Sequence, residues 1–435
     1  MKKNETKAQY VGNISYFCIL KRFKRFSMQK IFTFILLIMA YTTAFSQDAN
    51  RQDNSGTRST DNTYINNNTD SIEISLLTCY PRANVYSLYG HTAIRYIDRS
   101  KNIDLAINYG MFSFSKPFFI LRFVFGLTDY EMGIEYFDDF ARQYVNSGCG
   151  VRQQILNLTP QEKNAIAEAI YRNYEPQNRI YRYNYFYDNC TTRARDIIMN
   201  HINGKIVFSN NKNGNPSFRE MIHKYNERQR WARFGNDLLL GVKADRPTTL
   251  KQQQFLPENL MNDFETATIC HKDGSKSALV AQSFWVLPQT NSVGNDKFPM
   301  SPSECLAIIA LIIAVISCIE LYKNSIWVIV DIAIMLTTGI CGIILFAMIF
   351  SKHPTVSLNF QILLLNPFSL VFMWNSIKSL HNRRISLWIK VWILLITLFL
   401  IGGSFQNYAE GMYFVALSLL FRYILKTYQF ASRQK

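Results

Sequence analysis

The sequence has little that could hold a metal. Its six histidines include no H-x3–5-H pair and its eight cysteines no C-x2-C, so no metal site is expected. Acidic residues are nearly missing from both ends. The first 30 residues hold one acid against eight bases, and the stretch from Ser301 onward four against ten. Residues 31–300 are almost balanced, with 26 acids and 29 bases, so most of the net charge of +16 flanks apolar runs. A nucleic-acid binder concentrates its bases on a folded domain, whereas membrane proteins place them beside their spans. No nucleic-acid partner is therefore expected. Glycine and proline, at 19 and 12 residues, are too sparse for a collagen-like or low-complexity chain.

What is present divides the chain in order. Residues 31–45 are apolar, follow Lys30 and precede Ser46-Gln47. That run is shorter than the roughly 20 apolar residues of a spanning helix and reads as a secretory signal. The leader before it is long, which makes Met28 a candidate start. Residues 1–46 are thus expected to be leader and signal, and the polar residues 47–70 a flexible linker. Order should begin with the alternating residues after Ile72. An exported domain over 71–300 should precede a membrane domain over 301–435, with helices near 305–322, 326–350, 355–377, 385–403 and 411–427.

The loops between those helices alternate in charge. Bases mark the first (Lys323), the second (Lys352, with His353) and the third (Lys378, Arg383, Arg384); the fourth has none, and Arg422, Lys426, Arg433 and Lys435 form the expected tail. Positive charge favours the cytoplasmic side, which places the first and third loops and the C-terminus there. Five crossings then leave everything before Ser301 outside, as the signal also requires. Inside the spans, Asp331 is expected to tie helices together, and His353-Pro354, Asn359 and Asn366 line the outer mouth and third segment.

Two stretches could carry chemistry. His91 follows Gly90 where a turn enters a strand, with Thr92, Ile94 and Tyr96 on the opposite face. About a hundred residues later, Asp188 and Asn189 are helix-capping types and Cys190 falls in the first helical turn. The helix dipole and a nearby imidazolium both favour a thiolate there. A Cys at a helix start facing a His on a strand is the papain-like arrangement, here with His before Cys. Asn108, on the next strand, is placed to orient the imidazole; Asp188 is the other candidate. Tyr89, Arg193 and Arg195 are the expected substrate contacts, although the arginines also suit pairing with Asp196 and its surroundings. The blander reading pairs Cys79, Cys149, Cys190 and Cys270 in two disulfides. The aromatic run 181–187 reads as a buried strand leading to Cys190. Residues 117–127, apolar but for Arg122, suit a bilayer contact or an acyl-chain groove as well as ordinary core.

An ordered series of motifs then carries a resemblance: ISLLTC to Cys79, YSLYGHTAIR to Arg95, NYGMF from Asn108, NCTTR from Asn189, and SFRE from Ser217. WARFG from Trp231, DLLLG from Asp237, ADRP from Ala244, and FLP from Phe255 continue it, with His353-Pro354 and Asn366-Pro367 in the tail. The series resembles the Lnb family of membrane-bound lipoprotein N-acyltransferases. The part before the spans also looks like the permuted papain-like (NlpC-type) group that includes lecithin retinol acyltransferase. The resemblance implies an α+β exported domain on an all-α bundle, at the periplasmic face of a bacterial inner membrane. It implies that Cys190 takes an acyl chain from a phospholipid as a thioester and passes it to the N-terminal amine of a diacylated lipoprotein. His91 would act as base and Asn108 as its orienter, with no cofactor. An exported Cys peptidase, amidase or lipid hydrolase, or a non-catalytic envelope protein, are the competing readings.

Overall fold

The computed structural model describes residues 71–82, 87–112, 118, 122–123, 125–209, 214–290 and 298–432. The expected signal, the start at Met28, the linker 47–70, and Arg433 and Lys435 lie outside them. Ten strands are described: β1 (Ile72–Cys79), β2 (His91–Asp98), β3 (Ile103–Met111), β4 (Asp129–Tyr136), β5 (Val151–Leu156), β6 (Ile180–Arg182), β7 (Lys205–Val207), β8 (Thr268–Cys270), β9 (Lys276–Ala278) and β10 (Val280–Leu287). Seven form one antiparallel sheet in the order β10-β5-β1-β2-β3-β4-β6, and β7, β8 and β9 form a small second sheet.

Strand β1 is central because both of its faces are apolar. Ile74 and Leu76 enter one core with Ile94 and Ile107, while Leu77 and Cys79 enter another with Ala93 and Ala106. Helix α1 (Phe137–Ser147) covers the second face with Phe137, Phe140 and Tyr144. Helices α2 (Pro160–Tyr174) and α3 (Cys190–Asn200) cover the first with Ile166, Ile170, Ala194 and Ile198. The result is an α+β domain with helices on both faces of an antiparallel sheet. Register then fixes the chemistry. Cys79 lies opposite His91, and Ala93 opposite Asn108. Side chains alternate along a strand, so His91, Ala93 and Asn108 share one face and Thr92 and Ile94 the other.

The aromatic run 181–187 departs from the expected strand. Only Ile180–Arg182 pairs in the sheet; the chain then turns, with Asn184 bridged to Asp188. The aromatics are divided between two cores, Tyr181 and Tyr183 joining the main one and Phe186 packing with Phe218 and Phe255. The corner delivers Cys190 to its helix.

The chain continues through α4 (Phe218–His223), α5 (Arg230–Leu239) and α6 (Pro257–Glu265) into a helical C-terminal part. There, α7 (Pro302–Tyr322) and α8 (Val328–Ile349) are each long and apolar enough to cross a membrane. The third apolar segment is not the unbroken helix expected near 355–377. Its halves, Phe360–Val371 and α9 (Met373–His381), meet at 79°. The bend falls at Phe372. Inside the first half, Pro367 has no N–H to donate, and Asn366 turns its side-chain oxygen to Phe368 N–H at 3.0 Å, which starts the short helix Phe368–Val371. Gly342 of α8 lets the Asn366-Pro367 segment lie against it, since a Cβ there would come 2.5 Å from Pro367 N. Helices α10 (Leu387–Gly402) and α11 (Met412–Ala431) complete the bundle.

Arg422 and Lys426 do not form a tail. Both lie buried in α11, where Arg422 forks onto Asp331 at 2.8 and 2.8 Å and reaches Glu320 at 2.7 Å. Lys426 meets both acids at 3.2 Å. An unmatched charge among these helices would cost several kcal/mol, roughly, so two bases against two acids explains their position. The loops sort to two ends. Arg383 of the third donates to Asn324 of the first at 2.9 Å. The second and fourth instead meet the α+β domain, through Gly241 N–H to Thr355 O at 2.8 Å and Asn407 Nδ2 to Asp245 Oδ1 at 3.0 Å.

Candidate active site

Cys190 opens α3 because Asn189 caps it. The Asn189 side chain accepts Thr192 N–H at 2.9 Å, and Thr192 Oγ1 accepts Asn189 N–H at 2.9 Å. Such a cap is worth about 1 kcal/mol and leaves the thiol beside the unpaired first-turn N–H groups. Gly90, at φ +77°, brings β2 in beside β1; a Cβ there would strike Cys79 O at 2.6 Å. His91 Nε2 donates to Asn108 Oδ1 at 3.0 Å. Nδ1 is thereby left for the Cys190 thiol, to which the ring also hydrogen-bonds.

The electrostatics of the pair are coupled. Burial pushes the Cys190 thiol up, but the His91 charge and hydrogen bond, Thr92 N–H and the Thr191 hydroxyl outweigh it and pull it down to about 7. For His91, burial favours the neutral ring; the Cys190 thiolate and Asn108 oxygen outweigh it, so its pKa is raised. Both shifts favour a thiolate beside an imidazolium. A depressed thiol pKa means that the thiolate is present above about pH 7 and is lost as pH falls through that value. Alkylation of Cys190 by iodoacetamide is therefore expected to have its midpoint near 7. His91→Ala should move it upward, since burial is then opposed only by Thr92 N–H and the Thr191 hydroxyl; an unmoved midpoint would show that His91 does not tune the thiol.

Two family models match this sequence: the Lnb N-terminal periplasmic domain over residues 59–224, and the Lnb transmembrane domain over residues 294–434. The chain belongs to the Lnb family. No curated protein and no solved structure matches it. As a member of Lnb it is a membrane protein with a periplasmic domain. His91, Asn108 and Cys190 all fall within the stretch matched by the periplasmic model.

The other expected site residues of this Lnb chain have partners elsewhere. Arg193 forks onto Asp188 at 2.6 and 2.8 Å and lies 3.5 Å over the Tyr181 ring. Asp188 is thus occupied, which leaves Asn108 as the orienting group. Arg195 is buried between Asp196 and Lys251 O, each at 2.8 Å. The Tyr89 hydroxyl accepts from Asn236 at 2.6 Å and donates to the Asn226 side-chain oxygen at 3.3 Å. These contacts tie the three residues to the fold around the site. The disulfide reading also departs from the structure, because Cys79, Cys149, Cys190 and Cys270 all carry free thiols. Cys79, across the strand pair from His91, is pushed up to about 12 by burial, in contrast to Cys190.

Glu135 was not foreseen. Asn108 Nδ2 donates to Glu135 Oε1 at 2.7 Å, and Gln143 Nε2 to Glu135 Oε2 at 2.9 Å. Its signal was Glu131 and Glu135 in DYEMGIEY, acids at even spacing on a strand otherwise suited to burial. Within 117–127, the described residues meet the second membrane loop. Lys352 N–H bonds Phe125 O at 3.1 Å, and His353 Nε2 lies 3.3 Å from Phe123 O. Phe118 is 78% exposed and Phe123 46%, the latter just beyond the end of α8.

Proposed function

We propose that this Lnb protein is a lipoprotein N-acyltransferase, moving an acyl chain from a phospholipid through a Cys190 thioester to the N-terminal amine of a diacylated lipoprotein. The observation that carries the reading is a buried thiol, lowered to about 7 and bonded to His91, in a domain joined to apolar helices. His91 Nδ1 takes the thiol proton, and the thiolate attacks the ester carbonyl carbon. First-turn N–H groups of α3 stabilise the oxyanion that forms. Collapse breaks the ester C–O bond, and His91 returns the proton to the departing lysophospholipid oxygen. The lipoprotein amine then attacks the thioester, His91 accepts its proton, and the thiolate leaves as the amide forms. Asn108 keeps Nδ1 aimed at sulfur throughout.

The membrane placement follows the same reading. Five crossings of the bacterial inner membrane are supported by the sorting of the loops, the first with the third and the second and fourth with the α+β domain. The site then stands on the periplasmic side, where both lipid substrates present their headgroups. The exposed rings of Phe118 and Phe123, beside the second loop, suit the apolar edge of that leaflet.

The test uses the full-length protein in phospholipid vesicles carrying isotopically labelled acyl chains. Labelled acyl groups should appear on the Cys190 peptide as a hydroxylamine-labile adduct, then on the amine of an added diacylated lipoprotein. Label that reaches the lipoprotein without ever occupying Cys190, or release of free fatty acid alone, would reject the proposal.

A further inference from the structure

We propose that Glu135 is a positioning residue that acts on Cys190 through Asn108 and His91. The inference rests on the proposal that Cys190 is the nucleophile, and it extends the group beyond the three side chains expected from the sequence.

A carboxamide presents an oxygen and an amino group of nearly equal size, and only the oxygen serves a ring N–H. A flipped Asn108 would turn a donor toward His91 Nε2. The tautomer would then reverse, placing the proton on Nδ1, where it could not be taken from the thiol. Something must therefore fix the amide, and Glu135 is placed to do so. An ionised carboxylate only accepts, so Asn108 Nδ2 can face it at 2.7 Å and the amide oxygen cannot. Gln143, one face further along α1, donates to the other carboxylate oxygen at 2.9 Å. Burial raises the Glu135 pKa above its ordinary 4.5, while the N–H groups on both oxygens and His91 pull against it.

The order Gln143, Glu135, Asn108, His91, Cys190 joins α1, β4, β3, β2 and α3 in one line of hydrogen bonds. The register supports it: Ala106 lies opposite Glu135 and Asn108 opposite Gly133, so Glu135 and Asn108 are diagonal neighbours on one face of the sheet. Gly133, opposite Asn108, has no Cβ, and the Met111 side chain fills the space that one would take. Glu135 thus contributes a fixed amide orientation and a negative charge that favours the imidazolium. The other charged or titratable groups acting on this line are Arg82 and Cys190 at His91, and Asp139 of α1 at Glu135. Arg82 opposes the imidazolium and Asp139 opposes the carboxylate, so neither substitutes for Glu135.

Two variants separate its two effects. Glu135→Gln keeps an acceptor for Asn108 but removes the charge. Glu135→Ala removes both. The pH profile of iodoacetamide alkylation at Cys190 is read by mass spectrometry on full-length protein in detergent, with thermal unfolding followed alongside. The alkylation midpoint is expected to rise by about 0.5–1 pH unit in Glu135→Gln, the size expected of a charge acting across two partly buried groups. A larger rise is expected in Glu135→Ala. In labelled vesicles, formation of the acyl adduct should fall roughly tenfold in Glu135→Ala and less in Glu135→Gln, the scale expected of second-layer partners. If Glu135→Ala does not fold, Glu135→Gln alone decides. A folded Glu135→Gln with an unmoved midpoint and unchanged adduct formation overturns the inference. Alkylation needs no acyl donor, so the two proposals can fail separately. A shifted midpoint in a protein that transfers no acyl chain would leave Glu135 as a positioning residue and reject the transferase reading.

Discussion

Cells relying on Cys190→Ala for this step should keep their lipoproteins diacylated. Alanine lacks the atom that forms the thioester, so transfer should fall by roughly 10³-fold or more, as when other covalent nucleophiles are removed. The loss should be chemical. Alanine is a good first-turn residue, and the Asn189–Thr192 cap that holds the helix start does not use the thiol. Cys190→Ser should be almost as inactive, because a hydroxyl stays protonated where this thiol is lowered to about 7. Mass spectrometry of lipoprotein N-termini, in a strain with no other such acyltransferase, reads the outcome directly. Triacylated lipoproteins persisting in that strain would remove Cys190 from the mechanism.

The largest effect on stability is expected at Arg422. Its guanidinium is fully buried and joins α7, α8 and α11 through Glu320 and Asp331. Arg422→Leu leaves two buried acids facing Lys426 alone, so an uncompensated negative charge remains among apolar helices. Breaking one side of a buried pair costs about 3–5 kcal/mol. The variant should unfold at a markedly lower temperature in detergent, with alkylation at Cys190 near neutral pH retained below that temperature. Adding Asp331→Asn restores one acid against one base and should recover part of the loss. A single variant as stable as the parent would mean that the four charges do not hold the bundle.

Much of the site could be read from residue types and their order. Gly90 before His91, and Asn189 before Cys190, are local signals: one allows a close backbone approach and the other caps a helix. Asn108 was found from strand order alone, because antiparallel neighbours bring residues of adjacent strands together. What escaped was non-local. Glu135 matters only through the diagonal it makes with Asn108, which requires the β3–β4 register. The pairing of Arg195 with neighbouring Asp196 was legible as the alternative to a substrate contact, but its second partner, Lys251 O, is brought to it only by folding. In the membrane part, hydropathy located the apolar segments but could not show a bend at Phe372. Charge counting assigned Arg422 and Lys426 to a tail because it weighs a base beside an apolar run the same way whether or not acids from other helices meet it.

The attachment of the α+β domain to both the second and the fourth membrane loops has a mechanical consequence. A body held by one flexible joint can tilt, whereas a body pinned at Gly241–Thr355 and again at Asp245–Asn407 loses that freedom. On the proposed function, the sulfur of Cys190 would stand at one height above the lipid surface. Reach would become a ruler: an ester would be attacked according to how far its carbonyl rises from the leaflet, so lipid geometry would select the acyl chain before any side chain recognised it.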